Sequence, residues 1–228
     1  MDEIQMTLQK CKLFMSFPPE TLHRSILPHG KLREFQKNEI VIAPQQQVDW
    51  FAVLIRGQIH ISQLFSDGGS SLMASLQPSF VLGGDLVCTQ GQRSPYYAIA
   101  TTPVQAMVFP VELLAPALLP EEERQMIWER LMVLIAHENM RKFYRLAILS
   151  QRSLRSRILV YLTMQAGRRG TDTFRIPFSR EELAAFLCVN RSALSRELGR
   201  LKQEGIIHFQ RNQFTILKKS DLWANDPH

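Results

Sequence analysis

The chain has no run of about 18 apolar residues, the length that a membrane-spanning helix needs, so we expect no membrane partner. Its first residues are acidic and lack the basic and apolar regions of a secretion signal. Cysteine is scarce, and the three present are too few and too far apart for a disulfide framework or a zinc ribbon: Cys11, Cys88 and Cys188. These absences exclude secreted and integral-membrane classes and predict a protein of the reducing cytoplasm.

The sequence does contain enough apolar residues for a core, and its charge is uneven. The 228 residues are 45% apolar, which suits one large domain or two modest ones. Residues 1–140 hold 10 Lys or Arg against 14 Asp or Glu, a net charge of −4. Residues 141–228 hold 17 against 7, a net charge of +10, so the whole chain is at +6. A basic C-terminal part indicates contact with a polyanion.

Short apolar runs alternate with turn signals between Gly30 and Val108. The turn signals are Arg56-Gly57, Asp67-Gly68-Gly69 and Gln77-Pro78. Strands of this length, with turns about every 8–12 residues, predict an all-β roll, barrel or sandwich. Ahead of this region, apolar and polar residues alternate at helical spacing over residues 4–27. A new helix is predicted to open at Pro18-Pro19, since proline is tolerated in the first turn of a helix.

A long helix is predicted from residue 121 to residue 150, because neither Gly nor Pro interrupts it and three glutamates occupy its first turn. At about 1.5 Å per residue it would be about 45 Å long, far beyond the mean globular helix. A seam of residues near heptad positions runs along it: Trp128, Met132, Ile135, Asn139, Lys142, Leu146 and Leu149. The apolar members predict dimerisation, and a polar Asn139 would fix the register, whereas Lys142 does not fit this pattern.

The segment 179–207 has the spacing of a helix-turn-helix. Ser179 and Glu182 predict a capping box for the first helix, and Asn190 can cap the second. A buried stripe is expected on the second helix, made by three leucines: Leu194, Leu198 and Leu201. In the turn between the helices, core packing is the expectation for Cys188.

The flanking segments complete a C-terminal domain. An apolar helix from Leu154 to Gln165 and a Gly-rich basic turn at Gly167–Gly170 come first, followed by a short strand at 174–176. After the helix-turn-helix, residues 205–209 and 214–217 predict a β-hairpin across Arg211-Asn212. Such a hairpin is a wing whose tip can reach the DNA backbone.

Four residues of the second helix face away from the leucine stripe: Arg191, Ser192, Ser195 and Arg196. Arginine can donate two parallel bonds to guanine, and serine can donate or accept. The second helix of this motif lies in the major groove with its first residues at the base edges. Arg180 and Arg200 are placed where they can meet phosphates. The segment therefore predicts a surface for double-stranded DNA.

These parts, in this order, resemble the CRP/FNR family of bacterial transcription regulators. The resemblance rests on the run LSRELGRLKQEGII and on β-roll motifs at Leu54-Ile55-Arg56-Gly57, Asp67-Gly68 and residues 78–85. It implies an α+β fold: an N-terminal antiparallel β-roll (a cupin-like jelly roll), a long dimerisation helix and a C-terminal winged helix-turn-helix. The expected bounds are 1–119, 120–150 and 151–228.

The resemblance also implies partners. A homodimer would bind a palindromic operator in double-stranded DNA, with half-sites about 34 Å apart. A small-molecule effector would bind in the β-roll against the long helix and change the pose of the two recognition helices, and RNA polymerase would be a further partner. The protein would not be an enzyme. Members that read a TGTGA half-site carry a glutamate where this chain has Ser192, so the operator cannot be copied from the family.

The effector site departs from the pattern of cyclic-nucleotide-binding members. Their Gly-Glu pair for the ribose is here Gly84-Asp85, and their Arg-Ser pair for the phosphate is Ser94-Pro95. Arg93 is displaced by one residue, which turns a side chain in a strand to the opposite face. A cyclic phosphate would lose its bidentate partner. We therefore expect an unidentified ligand other than cAMP, near Gly84, Asp85, Arg93, Ser94 and Asn139, with Arg93 or Arg141 as a possible cation.

Several alternatives remain open at this point. The pocket could be lost and DNA binding constitutive, Cys88 could be a redox-sensing thiol, or His60 or His137 could ligate haem. The iron–sulfur site of the FNR branch is not expected, since only Cys11 lies near the N-terminus. A cupin-like enzyme would need a His/Glu cluster where the roll offers His60 alone. A nucleotide-sensing adaptor that grips protein or RNA is a further possibility.

Overall fold

The computed structural model describes residues 3–64, 70–89, 91, 93–116 and 118–218. The turn predicted at Asp67-Gly68-Gly69 lies outside the described residues. By its internal contacts the chain forms two compact units, one of Met1–Ser66 with Leu72–Met140 and one of Asp67–Ser71 with Arg141–His228. Among the residues the structure describes, no helix is long and apolar enough to cross a membrane.

The N-terminal unit is an antiparallel β-roll, which confirms the predicted fold class. Its described residues form two four-stranded sheets, with strand orders β1-β8-β3-β6 and β2-β7-β4-β5. The strands are β1 (Lys31–Phe35), β2 (Ile40–Ile42), β3 (Trp50–Arg56), β4 (Ile59–Leu64), β5 (Ser70–Leu76), β6 (Val81–Leu82), β7 (Tyr97–Ala100) and β8 (Val104–Pro110). Apolar side chains from both sheets fill the interior of the roll.

Strand β3 is buried on both faces, which explains its unbroken apolar sequence. Ala52 and Leu54 belong to the interior of the roll, whereas Phe51 and Val53 belong to a second core on the outer face of the sheet. The second core is covered by helical segments: α1 (Glu3–Lys10), a short π-helix (Leu22–Ile26), two 3-10 helices (Leu27–His29 and Val111–Leu114) and α3 (Glu121–Leu149). The short helix α2 (Pro19–Thr21) precedes the π-helix and has no buried residue.

The C-terminal unit is a winged helix-turn-helix. Its elements are α4 (Leu154–Arg169), β9 (Thr173–Arg175), α5 (Arg180–Phe186), α6 (Arg191–Gln203), β10 (Ile207–Gln210) and β11 (Gln213–Ile216). The strands form an antiparallel sheet in the order β10-β11-β9. One apolar core joins the three helices and this sheet.

The predicted turn at Gly167–Gly170 is wrong, because α4 continues through Arg169. A glycine inside a helix costs only about 1 kcal/mol, which packing along the rest of α4 overcomes at Gly167. The helix ends where Gly170 adopts a left-handed conformation at φ 63° and its amide bonds to Ala166 and Gly167 carbonyls. Arg168 and Arg169 then lie in the last turn, where cations favour the helix dipole.

Candidate nucleic-acid interface and effector site

The start of α5 has the predicted capping box. The Ser179 hydroxyl accepts a hydrogen bond from the Glu182 amide at 3.2 Å, and the Glu182 carboxylate accepts one from the Ser179 amide at 2.7 Å. The turn to α6 passes through Cys188 in a left-handed conformation, at φ 56°. Core packing of Cys188 was the wrong expectation, since the residue is exposed.

Helix α6 is anchored by its predicted leucine stripe. Leu194, Leu198 and Leu201 are all 0% exposed. The Asn190 side-chain oxygen caps the helix by accepting from the Ala193 amide at 2.7 Å. Together, the stripe and the cap fix which face of α6 is left outside, because residues on one helix face recur at helical spacing.

The outer face of α6 carries the four predicted base-reading residues, and all four are exposed: Arg191, Ser192, Ser195 and Arg196. Within the described part of the chain, no hydrogen bond or ion pair engages the side chain of Arg191, Ser195 or Arg196. Ser192 differs, because its hydroxyl donates to the Asn190 side-chain oxygen at 2.9 Å. The Ser192 oxygen can still accept a bond from a base.

Arg200 is exposed further along α6 and takes part in a network of charges. It lies 3.4 Å from the Glu197 carboxylate, which is also 3.7 Å from Arg155 at the start of α4. Arg155 in turn donates to Glu204 at 3.0 Å, and this bond holds the pKa of the Glu204 carboxyl below its usual range. The sequence analysis did not identify this network, since Arg155 lies 49 residues before Glu204 along the chain.

The wing turn is joined through Asn212 to Ile176, the residue after β9. The Asn212 side-chain amide donates to the Ile176 carbonyl at 3.2 Å, and the Ile176 amide donates back to the Asn212 carbonyl at 2.9 Å. Arg211, the other turn residue, is exposed and adopts a left-handed conformation at φ 53°. The predicted hairpin across Arg211-Asn212 is therefore confirmed.

Arg180, predicted to meet a phosphate, lies against the wing. Its guanidinium is 5.0 Å from the centre of the Phe209 ring and 5.5 Å from that of Phe214. One of its N–H groups donates to the Arg211 carbonyl at 3.1 Å. Burial lowers the pKa of Arg180 from its ordinary value, although the group remains a cation.

In the β-roll, Gly84 lies where α3 crosses the end of β6. A Cβ atom added there would come within 3.1 Å of side-chain carbons of Leu131 and Val81, which is tighter than ordinary contact. The residue is buried. The glycine thus permits a close approach between the roll and α3.

Asp85 is engaged by Tyr96, a residue that the sequence analysis did not consider. The Tyr96 hydroxyl donates to the Asp85 carboxylate at 2.9 Å. Burial first, and then the charge and hydrogen bond of Asp85, raise the pKa of the Tyr96 phenol well above its usual range. The Asp85 carboxylate therefore already has a neutral hydrogen-bond donor. The sequence signal that could have indicated this donor is the pair of tyrosines directly after Pro95.

Ser94 and Arg93 are also used by the protein itself. Ser94 is 0% exposed, and its hydroxyl donates to the Tyr96 carbonyl at 2.8 Å while accepting from the Tyr96 amide at 3.2 Å. Arg93 is exposed and donates to the Gln45 carbonyl at 2.8 Å. The structure thus brings Asp85 and Ser94 to Tyr96 and directs Arg93 to a different loop, while Asn139 is exposed on α3.

The cysteines and histidines offer little chemistry. Cys88 is exposed, yet partial burial of its thiol and the charge of Asp85 raise its pKa, which lowers the thiolate fraction that a redox sensor needs. Cys11 is buried, and burial raises the pKa of its thiol to about 11. Over residues 3–64, 70–89, 91, 93–116 and 118–218, no group of three or more His, Cys, Asp or Glu could hold a metal ion.

Helix α3 leaves part of its predicted seam exposed. Ile127 and Leu131 are buried in the N-terminal unit, whereas Trp128 is 40%, Met132 70% and Leu146 65% exposed. Residues spaced by three and four lie on one helix face. Asn139 and Lys142 are exposed in the same seam, and Ile135 and Leu149 are partly buried.

Comparisons with known proteins match both units. A family model described as "Cyclic nucleotide-binding domain" matches residues 32–118, and one described as "Crp-like helix-turn-helix domain" matches residues 156–224. The chain is 24% identical to the Global nitrogen regulator of Synechococcus elongatus over 195 residues, 82% of this chain and 85% of that protein. It is 25% identical to the Transcriptional activator protein FnrL of Cereibacter sphaeroides over 199 residues, which are 81% of this chain and 75% of that protein.

A solved structure supports the same architecture. A CooA mutant from Carboxydothermus hydrogenoformans matches with a TM-score of 0.70 at 13% identity, over 89% of this chain and 92% of that chain. At this identity the likeness concerns the fold alone. The two family models and the curated relatives match the same two units that the fold comparison covers.

Proposed function

This chain belongs to the CRP/FNR family of transcriptional regulators, and we propose that it is a sequence-specific, homodimeric DNA-binding regulator gated by a small-molecule effector other than cAMP. In this proposal residues 1–119 sense the effector, 120–150 dimerise and 151–228 bind DNA. The proposed location of the protein is the cytoplasm, where its proposed partners, operator DNA and RNA polymerase, are found. We propose no enzymatic activity, because the curated relatives are regulators.

The observation that carries the DNA-binding proposal is the outer face of α6. Arg191, Ser195 and Arg196 are exposed on a helix that is locked by three fully buried leucines. Arginine side chains without internal partners are available for bidentate bonds to guanine, and the serines can bond to either kind of base edge. Arg200 lies on the flank of the same helix, where we place a phosphate contact.

The direct test selects a duplex from a random library with the wild-type protein and measures its affinity. Arg191→Ala and Arg196→Ala should each weaken binding about 5- to 150-fold, the equivalent of one lost bidentate pair. Arg24→Ala removes the same charge from an exposed site in the N-terminal unit and should bind as wild type does. Wild-type affinity in both α6 variants would refute the assignment of the reading helix.

The homodimer is supported by the exposed apolar seam of α3. Trp128, Met132 and Leu146 lie on one face of the helix, and apolar residues at this spacing are the pattern by which long helices pair. Asn139 in the same row would fix the register of two copies. Two helix-turn-helix units would then read half-sites about 34 Å apart.

Light scattering tests the dimer with a matched pair of variants. Met132→Lys places a charge in the seam and should give a monomer with much weaker DNA binding. Val133→Lys makes the same substitution at the next residue, also exposed, but about 100° around the helix. The Val133→Lys protein should remain a dimer. A dimeric Met132→Lys protein would contradict the proposal that the seam is the dimer interface.

The proposal of a ligand other than cAMP is supported by the internal partners of the candidate residues. Asp85 and Ser94 are satisfied by Tyr96, and Arg93 bonds to the Gln45 carbonyl. A cyclic phosphate would have to displace these contacts before finding a bidentate partner. An effector can gate DNA binding only through different affinities for two states, and we place the hinge at residues 149–153, between α3 and α4.

Thermal unfolding with candidate ligands tests this part, because a ligand that binds only the folded state raises the melting temperature. Nucleotides, haem and small metabolites are the compounds to compare. We expect no shift with cAMP and a shift with a compound of another class that also changes DNA affinity. A cAMP shift would overturn the exclusion of cAMP, and no shift with any compound would favour constitutive binding.

A further inference from the structure

The wing turn contains a backbone conformation that needs support. Arg211 is not a glycine, yet it adopts φ 53°. In this left-handed region the Cβ of an L-residue approaches the neighbouring carbonyl, at a cost of about 1–2 kcal/mol. Such conformations persist where the surrounding structure holds them. The contacts at this turn therefore decide which way the Arg211 side chain is presented.

Two residues outside the hairpin are hydrogen-bonded to the turn. Ile176 exchanges two hydrogen bonds with Asn212. Arg180 donates to the carbonyl of Arg211 itself at 3.1 Å. Arg180 is the first residue of α5, directly after the Ser179 cap, so its bond ties the wing turn to the helix-turn-helix.

Arg180 is itself held in place by the wing. Its guanidinium lies 5.0 Å from the ring centre of Phe209 and 5.5 Å from that of Phe214, and the two rings stack at 5.7 Å. A planar guanidinium can lie against both rings and direct an N–H at the Arg211 carbonyl through its rigid fork. An ammonium group can also lie over a ring, as Lys202 does at 5.4 Å from the centre of Phe209, but it lacks that fork. We therefore expect the wing to need arginine at position 180 and not merely a positive charge.

From this geometry we infer that Arg180 is a positioning residue that holds the wing turn so that the exposed Arg211 side chain contacts a DNA phosphate. This inference rests on the proposed DNA binding. It assigns the backbone contact to Arg211 and makes Arg180 act through it. A bond already made to the Arg211 carbonyl and a partly buried position suit this role better than a phosphate contact.

The test measures how affinity for the selected duplex depends on salt, in Arg180→Lys, Arg211→Ala and the double variant. Each lost phosphate contact lowers the slope of log affinity against log salt by about one. We expect each single variant to lose about one, and the double variant to lose no more than either. If Arg180 met a phosphate itself, Arg180→Lys would keep the charge and the wild-type slope. A double variant that loses about two would equally overturn the inference.

Hydrogen exchange of the free protein gives a readout that does not need DNA. The peptide covering the wing should exchange about tenfold faster in Arg180→Lys, as expected for one hydrogen bond and a cation–π contact. It should be unchanged in Arg211→Ala, which keeps the carbonyl, and in the control Arg175→Lys on the exposed face of β9. Equal exchange in Arg180→Lys and wild type would refute the positioning role.

The two measurements separate the possible failures. If the wild-type protein selects no duplex, the proposed function fails, whereas the exchange result still decides whether Arg180 holds the wing. If wild type selects a duplex and the variants behave additively, DNA binding stands and the inference fails. Unchanged exchange outside the wing shows that Arg180→Lys is folded.

Discussion

The two candidate sites of this protein use their polar side chains in opposite ways. On α6, Arg191, Ser195 and Arg196 point outward with no hydrogen-bond or ion-pair partner among the described residues. In the β-roll, Asp85 and Ser94 are both bonded to Tyr96, at 2.9 Å and 2.8 Å. The first site is therefore available to an external partner, whereas the second must exchange internal contacts for any ligand it takes.

The difference follows from how each site is built. On a helix, the period of the buried leucines alone decides which residues are outside, so a run of sequence specifies a surface. The roll residues lie in and beside loops that meet only in the folded chain. There, a motif position such as Ser94 keeps its place in the chain while its hydroxyl finds a different partner.

The largest expected effect is the loss of the α6 anchor. Leu198 is 0% exposed, so Leu198→Ala should cost about 2–5 kcal/mol of stability in the C-terminal unit and abolish selection of a single duplex. Urea unfolding gives the free energy, and hydrogen exchange shows which unit loses it. Ser195→Ala, on the exposed face of the same helix, should stay within about 0.5 kcal/mol of wild type. Equal stability of the two variants would contradict the packing argument.

The internal contact of the roll predicts the next largest effect. Tyr96→Phe removes the donor to Asp85, and a hydrogen bond to a charged group is worth about 1.5–3 kcal/mol. Tyr161, in the C-terminal unit, is the matched case, because its buried hydroxyl has no hydrogen-bond partner within the described residues. Tyr161→Phe should therefore be neutral or stabilising. Urea unfolding gives the free energy of unfolding of both variants. An equal loss of stability in the two would contradict the difference between the two tyrosine hydroxyls.

Among the thiols, alkaline pH should act on the stability of the N-terminal unit through Cys11. Burial raises the pKa of Cys11 to about 11, whereas Cys188 in the other unit is exposed. Above pH 9, the ordinary thiol pKa, the unfolded chain loses its Cys11 proton while the folded chain keeps it. The free energy of unfolding should then fall by at most about 1.4 kcal/mol per pH unit until the folded thiol also ionises.

Cys11→Ala isolates this contribution. The variant has a lower stability at neutral pH, because it loses buried volume, but its stability should fall less steeply than that of wild type between pH 9 and 11. Urea unfolding at a series of pH values gives both slopes. Parallel curves would show that Cys11 does not carry the alkaline sensitivity.

Local patterns predicted much of the fold. The capping box at Ser179, the cap at Asn190 and the leucine stripe of α6 each depend on residues within one or two helical turns, and the structure has all of them. The turn signals at Arg56-Gly57 and Gln77-Pro78 likewise predicted where strands β3 and β5 of the roll end. The end of α4 was predicted too early, since Gly167 was interpreted as a breaker although the true stop is Gly170.

What the sequence could not specify were contacts between distant segments. Arg155 meets Glu204, and Arg180 meets the carbonyl of Arg211, across 49 and 31 residues of chain. No spacing rule relates such pairs, because they are set by how helices and wing pack together. The same holds for the candidate effector residues, where neighbours in the folded chain determine what each polar group is able to bind.

The smallest predicted effect concerns Ser192, a proposed base-reading residue whose hydroxyl already donates a hydrogen bond within the protein. The Asn190 side chain caps α6 and also accepts from the Ser192 hydroxyl. Asn190→Ala should cost about 1 kcal/mol through loss of the cap, whereas Asn190→Ser keeps a capping oxygen and should cost only a few tenths. Asn190→Ala also removes the acceptor of the Ser192 hydroxyl. Thermal unfolding separates the two variants, and equal melting temperatures would mean that the Asn190 cap contributes nothing to stability.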